Sequence, residues 1–135
     1  MRNPELLGRL PDDVCRLLDV NTTTRVVMIE LATVAHIFER RSFSDATVIM
    51  KVLARRVFDP LYCGRLVADK RLFFIVERSR SQERAVIAFK FVHSTESESG
   101  ADEIWVSTGY TVGDSTLREM LSASRFVMQQ RTSDR

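Results

Sequence analysis

The sequence predicts an α+β protein in which N-terminal helices pack on an antiparallel sheet of three or four strands, followed by a C-terminal helix. Three observations carry this. Between residues 11 and 57 the apolar residues recur at helical spacing, from residue 61 the period changes to two, and from 116 the helical spacing returns. Helices first and strands afterwards give α+β rather than alternating βαβ units.

Residues 11–20, PDDVCRLLDV, open on a proline and two aspartates, which suit the first turn of a helix. A polar break at 21–24 precedes RVVMI (25–29), a short β-branched strand. Residues 31–41, LATVAHIFERR, place Leu31, Val34, Ala35 and Phe38 on one helical stripe, with Thr33, His36 and Arg40 beside it. Ser44 is read as the cap of a helix running to the Asp59-Pro60 break, with Ala46, Ile49, Met50, Leu53, Ala54 and Val57 apolar. Residues 61–68 lead into a hairpin of strands 70–79 and 84–93 with its turn at 80–83. In the second hairpin strand, Ala85, Ile87, Phe89 and Phe91 form one face, and Arg84, Val86, Ala88, Lys90 and Val92 the other. Residues 94–102 read as a solvated flexible loop and 103–112 as a further strand. Thr116 and Glu119 form a capping box for a helix expected to run to about Gln130, and the RTSDR tail is expected to fray. The expected core holds Leu31, Val34, Phe38, Ile49, Leu53, Ile87, Phe89, Phe91, Ile104 and Val106.

At 135 residues, 44% of them hydrophobic and 28% charged, the chain fits one soluble domain. No apolar run approaches the ~20 residues of a membrane span, and MRNPELLGRL lacks a signal-peptide core. The expectation is a cytoplasmic protein with no membrane partner. Cys15 and Cys63 show no metal-ligand spacing and read as buried thiols. The net charge of +2 is uneven: residues 61–93 hold seven basic and three acidic residues, residues 94–135 four and seven. Positive charge therefore concentrates on the hairpin, where an anionic partner would find it.

Gly-rich phosphate loops, HExxH, CxxC and G-x-S-x-G are absent, which removes the commonest nucleotide-binding, metalloprotease, redox and hydrolase signatures. The remaining candidates are single residues. His36 lies on a polar stripe of its helix, where a structural histidine is the plainer reading. Lys90 sits mid-strand between small neighbours, Ala88 and Val92, as a solvated lysine or the floor of an anion site.

The segments VVMIELATVAHIFERR, VLARRVFDP, AVIAFK and EIWVSTGY, in this order over residues 25 to about 110, resemble the BECR superfamily. These are barnase–EndoU–colicin–RelE-like ribonuclease domains of bacterial toxins and phage proteins. The resemblance implies a ribonuclease-like core at 25–112, with 1–24 as a helical extension and 113–135 as a helix and tail. It implies catalysis by His36, Lys90 and Thr108 or Ser107, with Arg40 adding charge, and substrate binding by Arg41, Arg71, Arg84 and Tyr110. Phage-type relatives often carry a second His one turn after the first, where this chain has Arg40 and Arg41. The implied reaction is attack of the ribose 2′-OH on the adjacent phosphate, with no metal and no cofactor. A base takes the 2′-OH proton, an acid protonates the leaving oxygen, and cations hold the added charge. The implied partners are RNA and a cognate inhibitor or other protein. The alternative functions are an inactive RNA- or protein-binding module of the same fold and an accessory protein acting by contact. Strand parity leaves one question open. Thr108 lies with Val106 and Tyr110, Ser107 with Trp105 and Gly109, and only one hydroxyl can share the face of Lys90 unless a bulge near Gly109 re-aims a side chain.

Overall fold

In chain order the elements are β1 (Pro4–Arg9), α1 (Asp12–Leu17), β2 (Val26–Glu30), α2 (Leu31–Arg40), α3 (Phe43–Leu53), β3 (Pro60–Leu66), β4 (Leu72–Glu77), β5 (Arg84–Val92), β6 (Glu103–Val112), α4 (Asp114–Ser122) and β7 (Phe126–Gln130). They come from a computed structural model that describes residues 4–18, 26–69, 71–77 and 83–131. The expected breaks at 21–24 and 80–83 fall wholly or largely outside those residues, as does the tail from 132.

All seven strands form one sheet in the order β1-β2-β6-β5-β4-β3-β7. Every neighbouring pair is antiparallel except β2 and β6, which run parallel. The expected antiparallel sheet of three or four strands is thus corrected to a mixed sheet of seven, because β1 and β2 add to one side of the β3–β6 meander and β7 to the other. The expected C-terminal helix is shorter as well. It starts at Asp114, before the Thr116 box, and breaks at Ala123, whose ψ of 132° is extended. Residues 126–130 instead pair with β3, and Phe126 stands edge-on to Phe74 with centroids 5.1 Å apart.

The sheet is covered on both faces, which explains why the second face of β5 is nearly as apolar as the first. On one face Ala85, Ile87, Phe89 and Phe91 join Val27, Ile29, Ile104 and Val106 beneath α1, α2 and α3. Phe89 is the hub, stacked on Phe73 at 5.3 Å and edge-on to Phe58 at 6.1 Å. On the other face Val86, Val112, Phe74 and Val76 pack under Leu117 and Met120 of α4. The cap of α3 is Ser42, not Ser44: its hydroxyl accepts from the Asp45 N–H at 3.1 Å. Of the expected core, Leu31 and Phe38 are 49% and 43% exposed. Strand β2 runs into α2 without a loop, so strand geometry sets the helix rotation and turns Ile37, with Val34 beside it, inward instead.

One end of the sheet is held by charge. Glu77, 1% exposed, accepts from Arg55 at 2.8 Å and from the Asp59 N–H at 3.1 Å. Asp59 in turn binds Arg131, which also grips Asp13 at 2.6 Å. These five residues tie α1, the chain just after α3, the end of β4 and the residue after β7 to one another. Burial outweighs the nearby Arg55 cation and pushes the Glu77 carboxyl up to about 7. The hydrogen bond from Arg131 holds the Asp13 carboxyl below its ordinary value. Between about pH 4.5, where Glu77 titrates unfolded, and 7, unfolding releases its proton. Stability is therefore expected to fall as pH rises through that window, by up to about 3 kcal/mol, and to level off above it. Urea unfolding from pH 5 to 8 measures this, and Glu77→Gln is expected to flatten this contribution to the slope.

Candidate functional site

The pairing of β5 with β6 settles the parity of the predicted hydroxyls. Phe89 lies opposite Val106 and Ala88 opposite Thr108, so Ser107 is an extra residue on β6. Before this bulge Ile104 and Val106 face the α2–α3 layer. After it Thr108, Tyr110 and Val112 face the α4 layer, sharing parity with Ala88, Val86 and Arg84. Lys90, opposite Trp105, is on that same face. The bulge therefore makes Thr108 a same-face neighbour of Lys90, while Ser107 is exposed at the bulge itself. Gly109 follows for a packing reason: a Cβ there would stand 2.8 Å from Ile49 and 3.3 Å from Ile87.

Strand β2 pairs with β6 only at Ile104 and Trp105, leaving the Gly109 end of β6 without a strand on that side among the described residues. The residue after α2 fills the role. Arg41 donates from Nε to the Gly109 carbonyl at 3.0 Å, and its guanidinium lies 5.8 Å from the Tyr110 ring centroid. Burial raises the Tyr110 pKa, and Arg125 and Arg41 oppose it.

The other candidates are dispersed. His36 and Arg40 are exposed on α2, which packs through Ile37 on the face opposite Lys90 and Thr108. Arg71 faces Asp69 at 3.5 Å and Glu96 at 3.6 Å, so the hairpin's positive charge is partly neutralised locally. The backbone N–H of Arg71 is the main reason the Asp69 carboxyl is held below its ordinary value. Arg84 is half-buried, with an Nε that meets no hydrogen-bond partner among the described residues. Beside Lys90, Trp105 donates to the buried carboxylate of Glu103 at 3.0 Å, and Ser99 donates to its other oxygen at 2.9 Å. The 93–102 segment, expected as a solvated loop, is largely exposed and carries side-chain hydrogen bonds; the Ser94 N–H also binds Asp102 at 2.9 Å.

Two further surface features stand outside the predicted site. A cavity of about 320 Å³ lies between β1 and the end of α3, lined by Leu6, Leu7, Leu53, Arg55 and Arg56 among others, and no predicted site residue borders it. The second is an apolar surface on α2 and the start of α3. Phe43 is 79% exposed, its ring 6.4 Å from that of Phe38, and Leu31 and Ala35 continue the stripe. The stripe was legible as periodicity and misplaced as core. Among the described residues no group of three or more His, Cys, Asp or Glu could hold a metal ion, and no helix is long and apolar enough to cross a membrane. Burial pushes the Cys63 thiol up to about 11, away from nucleophilic use. No family model, curated protein or solved structure matches the chain.

Arg41→Ala is expected to destabilise by about 1–2 kcal/mol, because the Gly109 carbonyl loses its charged donor. Arg40→Ala, at an exposed position, should stay within about 0.5 kcal/mol. Gly109→Ala should cost about 1–3 kcal/mol through overpacking against Ile49. Urea denaturation of the three variants measures all of this.

Proposed function

We propose that this protein works by binding another protein, and that the contact surface is the exposed stripe of Leu31, Ala35, Phe38 and Phe43. The observation that carries the reading is the Phe38–Phe43 pair, two aromatic rings in contact with each other and 43% and 79% exposed. Contiguous exposed apolar surface marks an interaction site, and aromatic side chains supply much of the binding energy at such sites. Glu39 and Arg40, both exposed, add a rim of both charge signs. Two further facts support binding over catalysis. His36 sits in a different layer from Lys90 and Thr108, and two of the three arginines expected to bind substrate are engaged, Arg41 by a carbonyl and Arg71 by two carboxylates.

The ribonuclease reading drawn from the BECR resemblance keeps one specific observation in its favour. The Ser107 bulge brings Thr108 onto the face of Lys90, two of the three implied catalytic residues.

Two experiments separate the readings. Chemical cross-linking in extract of the source cells, followed by mass spectrometry, should yield a reproducible partner that a Phe38→Ser/Phe43→Ser double variant of unchanged melting temperature no longer captures. A partner held equally by both proteins would overturn the proposed surface. Incubation with total RNA and EDTA should leave the RNA intact. Cleavage by the wild type, reduced about 10²–10³-fold in Lys90→Ala and His36→Ala, would establish the ribonuclease instead.

A further inference from the structure

The two edges of the sheet are treated differently. The β1 edge opens on a proline, has a register shift between Leu6 and Arg9, and is partly covered by residues 56–58: Arg9 donates to the Arg56 carbonyl at 2.9 Å and accepts from the Phe58 N–H at 3.1 Å. These are the usual devices that stop a strand from recruiting another. Among the described residues, the β7 edge has none of them. Its sequence FVMQQ carries no charge, no proline and no glycine, and its pairing with β3 is regular over five residues.

The hydrogen bonds at its ends show which groups point outward. The Arg125 carbonyl accepts from Val67 at 2.9 Å, and the Arg131 N–H donates to the Leu61 carbonyl at 2.8 Å. In an antiparallel ladder alternate residues direct both groups to the same neighbour. Arg125, Val127, Gln129 and Arg131 therefore face β3, while Phe126, Met128 and Gln130 face away. The Phe126 N–H is already used by the Ala123 carbonyl at 3.2 Å. Among the described residues, two donors remain, on Met128 and Gln130, and three acceptors, on Phe126, Met128 and Gln130.

We infer that β7 pairs antiparallel with β7 of a second copy of this chain, about a two-fold axis at Met128, giving one continuous sheet through both subunits. The pattern is self-complementary. Met128 faces its own copy and exchanges two hydrogen bonds, and each Gln130 N–H meets the Phe126 carbonyl of the other copy, so every outward donor finds an acceptor. Val127, 43% exposed, falls opposite Gln129; just beyond the strand Arg125 falls opposite the other copy's Arg131, whose charge is already met by Asp13 and Asp59. A two-fold uses the same patch on both copies, as closed dimers do.

This inference goes beyond the Phe38–Phe43 surface and stands or falls separately from it. The test is sedimentation equilibrium over a concentration series. The wild type should dimerise. Gln130→Pro removes an outward N–H and no ladder bond to β3, so it should weaken self-association about 10- to 100-fold with the circular dichroism and melting temperature retained. Val127→Lys/Gln129→Lys, which sets lysines opposite lysines across the two-fold, should do the same; Phe38→Ser/Phe43→Ser should dimerise as wild type. A monomeric wild type at several hundred micromolar protein overturns the inference. So does a dimer that survives both β7 variants, or one that only the Phe38/Phe43 variant dissolves.

Discussion

The ladder between β5 and β6 is the constraint on which the remaining geometry depends. It joins the meander to β2 and so to β1, it supplies Phe89 and Val106 to one core and Val86 and Val112 to the other, and it contains the Ser107 bulge. Because side chains alternate across a strand, this ladder decides which residues can ever meet. A sheet closed by helices on both faces is also a wall. Whatever stands on α2 reaches the α4 face only around an edge, as Arg41 does where β2 leaves β6 unpaired. His36, earlier on the helix and exposed, does not follow it.

The wall is anchored at one end by the charges around Glu77. A carboxylate with 1% exposure is costly unless its lone pairs are used, and here a guanidinium and a backbone N–H use them. Asp59 links this pair to Arg131, directly after β7. The strand that offers an open edge is thereby fixed at its C-terminal end, and Phe126 against Phe74 fixes the other. An edge held at both ends, with matched outward groups, is suited to adding a strand.

Much of the meander was legible. The alternation in AVIAFKFV assigned Ile87, Phe89 and Phe91 to a core face and left Lys90 on the other, where it is exposed. Gly109 also hinted at an irregularity, although the extra residue is Ser107. The sheet's flanks were not legible, for physical reasons. PELLGR contains a proline and a glycine, which argue against a central strand and are tolerated at an edge. FVMQQ is rich in good helix formers, and only the unpaired side of β3 makes it a strand. The stripe on α2 was periodic, but periodicity gives the existence of an apolar face without saying which way the preceding strand turns it. Left outside the core, Phe38 and Phe43 are available for contact instead.

The separation of His36 from Lys90 by the sheet is the central claim, and thiol cross-linking measures it directly. Both positions are exposed, so a His36→Cys/Lys90→Cys variant presents two accessible thiols, while Cys15 and Cys63 are buried. A Lys90→Cys/Thr108→Cys variant, whose residues are diagonal neighbours on one face, roughly 7–8 Å apart, serves as the positive control. With a short bifunctional maleimide the control pair should bridge within each chain and the 36/90 pair should not. Efficient bridging of 36 to 90 within one chain would contradict the account and bring the histidine back to the lysine's side of the sheet.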